Sequence, residues 1–125
     1  MTVSQIINDF DDRHFNSFPA ERKYRWVSEL DLRIKAEIID THFPNDGERS
    51  LDGFTGYDPS RPDDVIIVPA AFGEMYEEYL CYRCDNANGE IERALNAGNN
   101  FNAIYDQYAR WYHRTHKAKG PTVMR

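Results

Sequence analysis

Cys81 and Cys84 are the only cysteines in the chain, and they stand at Cys-x-x-Cys spacing. That spacing suits a redox pair or half of a zinc site. Zinc needs two more ligands at matching spacing, and there is no second pair. A redox pair belongs where a strand runs into a helix, whereas these lie within a helical pattern between Leu80 and Ala87. Two reduced helix cysteines is the reading that fits. His113 and His116 are spaced i,i+3, as two metal ligands on one helix face would be. No third ligand follows, and Arg114 and Lys117 beside them would repel a cation. Bases at a helix C-terminus complement its dipole, which accounts for all four residues without a metal.

Paired carboxylates occur at Asp11-Asp12 and Glu77-Glu78. Neighbours on a helix point in different directions, while acid–base catalysis needs groups that converge with separated pKa values. Asp46, Glu48, Asp63 and Asp64 lack the alternating oxygen donors of a calcium loop. Ser28 and Ser60 sit in no nucleophile motif, and the chain has no glycine-rich phosphate loop. The expectation is a protein without catalytic, metal or cofactor residues.

These residues are positioned by helices. Val3, Ile6, Ile7 and Phe10 line one face of a short first helix, with Thr2 and Gln5 as a capping box. The acids Asp9, Asp11 and Asp12 end it near Arg13. A second helix carries Tyr24, Val27, Leu30, Ile34 and Ile38 inward, with Glu29, Asp31, Arg33, Lys35 and Glu37 facing elsewhere and a Glu29–Arg33 pair. Pro44 forces its end by His42 or Phe43. Residues 44–69 hold four of the six prolines and three glycines. They read as a turn-rich insertion in which 54–57 and 65–68 suit a short β-hairpin. Pro69 opens a third helix reaching Leu95, with Gly89 tolerated inside it, and residues 96–100 form the kink or stop. The fourth helix then runs to His116. The fold class is mainly α: a small bundle of one short and three longer helices over residues 1–116. Residues 117–125 form a basic tail that stays loose unless a partner orders it.

A chain of 125 residues fits one domain with a core of its own. No run approaches the roughly 18 apolar residues of a membrane helix, and no membrane partner is expected. Without a basic-then-apolar leader at Met1, the expected location is a cytoplasm or a particle assembled there. The net charge is −6, yet from Arg110 onward there are five bases and no acids. This is an acidic body with a basic end. Six of the eight tyrosines fall between Tyr76 and Tyr112. Trp26, Tyr82 and Trp111 lie off or at the edge of the apolar lines, and exposed Tyr, Trp and Arg anchor interfaces. Together with Arg114, His116, Lys117 and Lys119 they form the expected assembly surface.

With these residues in view, the chain resembles the head–tail connector (head-completion adaptor) proteins of long-tailed bacteriophages and prophages. The matching blocks are Arg25-Trp26-Val27-Ser28-Glu29-Leu30-Asp31, Ile38-Ile39-Asp40-Thr41-His42 and Gly56-Tyr57-Asp58. Further on come Val68-Pro69-Ala70, Glu74-Met75-Tyr76, Tyr79-Leu80 and Asn88-Gly89-Glu90-Ile91. Phe101-Asn102-x-x-Tyr105 and Tyr112-x-Arg114-Thr115-His116 close the series. Cys81, Cys84, Leu95-Asn96 and His113 depart from the family's pattern. The resemblance implies a helical structural protein of the virion, assembled in the host cytoplasm. It would form a homo-oligomeric ring beneath the portal protein at the capsid vertex. It would retain packaged DNA with at most non-specific contact, and dock the next neck or tail-completion protein. Pairing of acidic body with basic end around that ring predicts that glutamate at Arg114, Lys117 and Lys119 weakens assembly. Two other readings compete: a small DNA-binding or packaging-associated helical module, and a metal-dependent enzyme using the insertion acids. The second helix offsets its bases with Glu21, Glu29, Asp31 and Glu37, which weighs against the DNA module.

Overall fold

Thr2 starts the first helix, α1 (Val3–Arg13), by the reciprocal capping box that its spacing to Gln5 predicts. The next free donors of that first turn are satisfied from elsewhere. Val3 N–H reaches Asp64 O at 2.9 Å, and Ser4 N–H reaches Pro62 O at 3.1 Å. The insertion is therefore stitched to the helix start from the outset. The computed structural model describes residues 1–120.

After a connector, α2 (Ala20–Ile34) carries straight on into a π-helical turn, Lys35–Ile39, closed by Asp40 N–H on Lys35 O. Pro69 precedes a 3₁₀ turn, Ala70–Phe72, and α3 (Glu74–Ala87) follows. The last helix, α4 (Ile91–Thr115), is the longest and packs most extensively on α3. The molecule is a mainly α bundle. Val3 and Phe10 of α1 meet Val27 and Ile34 of α2, Met75 and Leu80 of α3, and Tyr108 of α4 in one buried core. Each such side chain contributes about 1.5–3 kcal/mol by leaving water.

Three expectations are corrected. The break between the third and fourth helices falls at Asn88 to Glu90, not at 96–100. Gly89 takes φ +75°, and its N–H bonds Asn86 O while Glu90 N–H bonds Asp85 O at 2.8 Å. That pair of bonds is a Schellman cap, which needs a residue in the left-handed region. Gly98 remains helical, because Ala94, Ala97 and Phe101 around it are buried against α3. Second, the insertion holds no hairpin among the described residues. Val65 instead forms an isolated antiparallel bridge with Thr2, and Ile66 N–H donates to Met1 O. Third, Glu29 pairs with Arg83 across to α3, while Arg33 pairs with Glu37.

The start of the basic tail is held. Phe43 N–H donates to Lys117 O at 2.7 Å and Lys119 N–H to Thr41 O at 2.9 Å, around an antiparallel bridge of His42 with Ala118. Residues 121–125 of the expected tail lie outside the described residues.

Candidate functional site

The polar centre of the molecule is Asp31, which is fully buried. Its Oδ1 accepts the Tyr76 hydroxyl at 2.7 Å. Its Oδ2 accepts the Tyr57 hydroxyl and, at 3.2 Å, the Ile67 N–H. The Tyr76 hydroxyl in turn accepts Val68 N–H at 3.1 Å. Burial pushes the Asp31 carboxyl up to about 6, opposed by the Tyr57, Tyr76 and Ile67 hydrogen bonds and by the charge of Arg49. Burial, reinforced by that carboxylate, also raises the Tyr57 and Tyr76 phenols. Contrary to expectation, Asp31 does not face outward: it belongs to the inward stripe and carries the insertion on its oxygens.

Ser28 makes the second tie, one turn earlier on α2. Its Oγ donates to Tyr24 O at 2.7 Å and accepts Tyr57 N–H at 2.8 Å. Gly56, at φ +122°, lies so close that an added Cβ would be 3.0 Å from the Ser28 Cβ. Arg49 closes the loop from the other side, donating to Val65 O and Ile66 O. Buried Lys23 ties the α1–α2 connector, reaching Asp11 at 2.7 Å and Asn16 at 3.2 Å. Each of these groups is committed to holding backbone or a neighbouring loop.

The nucleophile-like cluster is Cys81 with His14 and Glu77. Cys81 Sγ lies 3.4 Å from His14 Nε2, and the same nitrogen lies 3.2 Å from Glu77 Oε2. Sγ is also 3.7 Å from Nδ1, so the thiol lies across the ring and is not paired with one nitrogen as an activated nucleophile is with its base. Burial and the nearby Glu78, Glu77 and Asp85 push the Cys81 thiol up to about 12. Burial pushes Cys84 up to about 11. Both thiols are free. They line a groove of about 620 Å³ with His14, Phe15, Arg93 and Asn100.

The histidines at the end of α4 go separate ways. His113 Nδ1 faces His42 Nε2 at 3.1 Å. His116 stacks on Tyr112 at 3.7 Å between ring centroids and meets Glu48 Oε2 at 2.7 Å. His42, absent from the expected set, is buried where the tail docks. Among the described residues no three His, Cys, Asp or Glu side chains group as metal ligands would. A second cleft of about 410 Å³ opens beside the docked tail, lined by Asp40, His42, Arg49, Trp111 and Lys119 among others.

The expected assembly residues divide. Trp26 is a core residue, edge-on to Phe18 and covered by the Arg83 guanidinium, so it is no surface anchor. His116 is also buried, because its stacking on Tyr112 and its contact with Glu48 turn it inward. Tyr82 is half-buried against Gly98, and Trp111 is half-buried among Phe72, Tyr108 and Tyr112. Arg114, Lys117 and Lys119 are exposed, with Lys119 Nζ 5.6 Å from the centre of the exposed Phe43 ring. No helix among the described residues is long and apolar enough to cross a membrane.

No family model matches the chain, and no curated protein or solved structure matches it.

Proposed function

We propose that this chain is a structural head–tail connector of a long-tailed bacteriophage or prophage. It would sit as a ring beneath the portal, hold packaged DNA in the head and offer a docking face to the next neck or tail protein. One observation carries the reading. Four separated sequence blocks that carry the resemblance meet at the Asp31 network. The first supplies Ser28 and Asp31, and Gly56-Tyr57-Asp58 supplies the ring that caps them. Val68-Pro69-Ala70 and Glu74-Met75-Tyr76 supply the amide and phenol that complete the network.

Other blocks fall on joints of the same kind. Asn88-Gly89-Glu90-Ile91 is the Schellman turn, while His42 and His116 frame the docked tail. Those residues build shape rather than chemistry, and building shape is the work of an assembly subunit. The test uses DNA-filled heads that lack their connector. Purified chain added to them should keep their DNA protected from nuclease. Unchanged DNA loss, with the chain left unbound, contradicts the proposal. Retention of the chain by free DNA, abolished at moderate salt, would favour the DNA-binding module instead.

A further inference from the structure

Two exposed apolar patches of opposite charge lie at opposite ends of α4, a helix about 38 Å long at the usual rise. At the N-terminal end, Ile91 and Leu95 are one turn apart and 57% and 61% exposed. Exposed Glu90 and Glu92 flank them. At the C-terminal end, Phe43 is 47% exposed beneath the Lys119 ammonium and hydrogen-bonded through its N–H to Lys117 O, with Lys117 and the last-turn Arg114 both exposed. Among the described residues, none of Glu90, Glu92, Arg114 and Lys117 makes an ion pair. Helix-dipole compensation explains the sign of the charges at each end. It does not explain why large apolar side chains stay uncovered beside them.

We propose that the Ile91–Leu95 patch with Glu90 and Glu92 is the docking face for the Phe43 patch of a second copy of this chain. Lys117 and Arg114 of that copy meet the glutamates, and Phe43 covers the leucine and isoleucine. The two faces differ, so the contact is heterologous and leaves a joined pair with one free face of each kind. Repetition with a closing rotation gives a ring. The inference rests on the connector reading for that closure, but the pairing itself stands on charge and exposed apolar surface.

The experiment is sedimentation velocity on the chain alone over a wide concentration range. Three variants accompany it: Glu90→Lys with Glu92→Lys, Arg114→Glu with Lys117→Glu, and all four together. The wild-type chain should associate beyond two copies, and each paired reversal should weaken association at least about tenfold. The fourfold variant should recover it, since both faces then carry exchanged signs. Circular dichroism checks folding, and Glu90→Gln with Glu92→Gln serves if the lysines disturb the helix start. A wild-type chain that stays monomeric or stops at a dimer overturns the proposal, as does a fourfold variant no better than either pair. Binding of such monomers to the portal would leave the connector reading standing and remove this interface alone.

Discussion

The Tyr76 hydroxyl donates to Asp31 Oδ1 at 2.7 Å across 45 residues of sequence, joining α2 to α3 through a carboxylate that no solvent reaches. On the same hydroxyl, the Val68 amide finds its acceptor. One phenol therefore completes both the helix pair and the end of the insertion.

Tyr76→Phe removes that group and leaves the Val68 N–H unpaired in the core. Unfolding free energy from urea titration should fall by about 1–3 kcal/mol. Tyr57→Phe should loosen the insertion, seen as faster amide exchange at Tyr57 and Ile67. A Tyr76→Phe protein as stable as the wild type would contradict the network's role.

Stability should depend on pH through Asp31. Its carboxyl titrates near 6 in the folded chain against an ordinary value of 3.8, because burial penalises the ionised form. The raised value means that the folded state holds the proton more tightly than the unfolded one. Its contribution is therefore complete below about pH 4, declines as the pH rises to about 6, and is flat above. Against Asp31→Asn, the wild type should gain about 2–3 kcal/mol between pH 7 and pH 4. Glu37 and Glu48, both held below the usual range, act in the opposite sense but cancel in this comparison.

Gly98, inside α4, and Gly89, in the turn before it, should respond oppositely to alanine. At Gly98 an added Cβ meets the Tyr82 ring at 3.4 Å, an ordinary contact, so Gly98→Ala should stabilise by about 0.5–1 kcal/mol. At Gly89 the φ of +75° strains any side chain, so Gly89→Ala should destabilise by about 1 kcal/mol. Thermal melts of the two variants check both signs.

The cysteines should be poor nucleophiles. Thiol labelling near pH 8 should run about a hundredfold slower in the folded chain than in denaturant, given partial burial and the raised thiols. Labelling at equal rates would contradict the packed arrangement of Cys81 against His14.

The helices were legible because their apolar residues repeat at helical spacing, and the α1 cap because Thr2 and Gln5 form a pair known from local geometry alone. Asp31 was legible too, but was read on the wrong face. It occupies the third place in the stripe Tyr24, Val27, Asp31, Ile34, Ile38, where an acid signals a buried partner. Its partners Tyr57 and Tyr76 lie far along the chain, and no local pattern links them. The 96–100 stretch, rich in asparagine around Gly98, looks like a helix stop by propensity. Burial of Ala97 and Phe101 overrides it, while Asn88-Gly89 carries the true cap. Trp26 and His116 are buried where the expectation had them at the surface, for a similar reason. The sequence shows an aromatic or a base at the edge of a stripe, and only the folded chain shows Phe18, Arg83, Tyr112 and Glu48 closing over them.

The most direct test of the assembly role is light-scattering mass of this chain mixed with the portal ring encoded in its own gene neighbourhood. The account predicts a stoichiometric complex in which a fixed number of copies decorates each portal. A portal of unchanged mass beside free monomeric chain would contradict it.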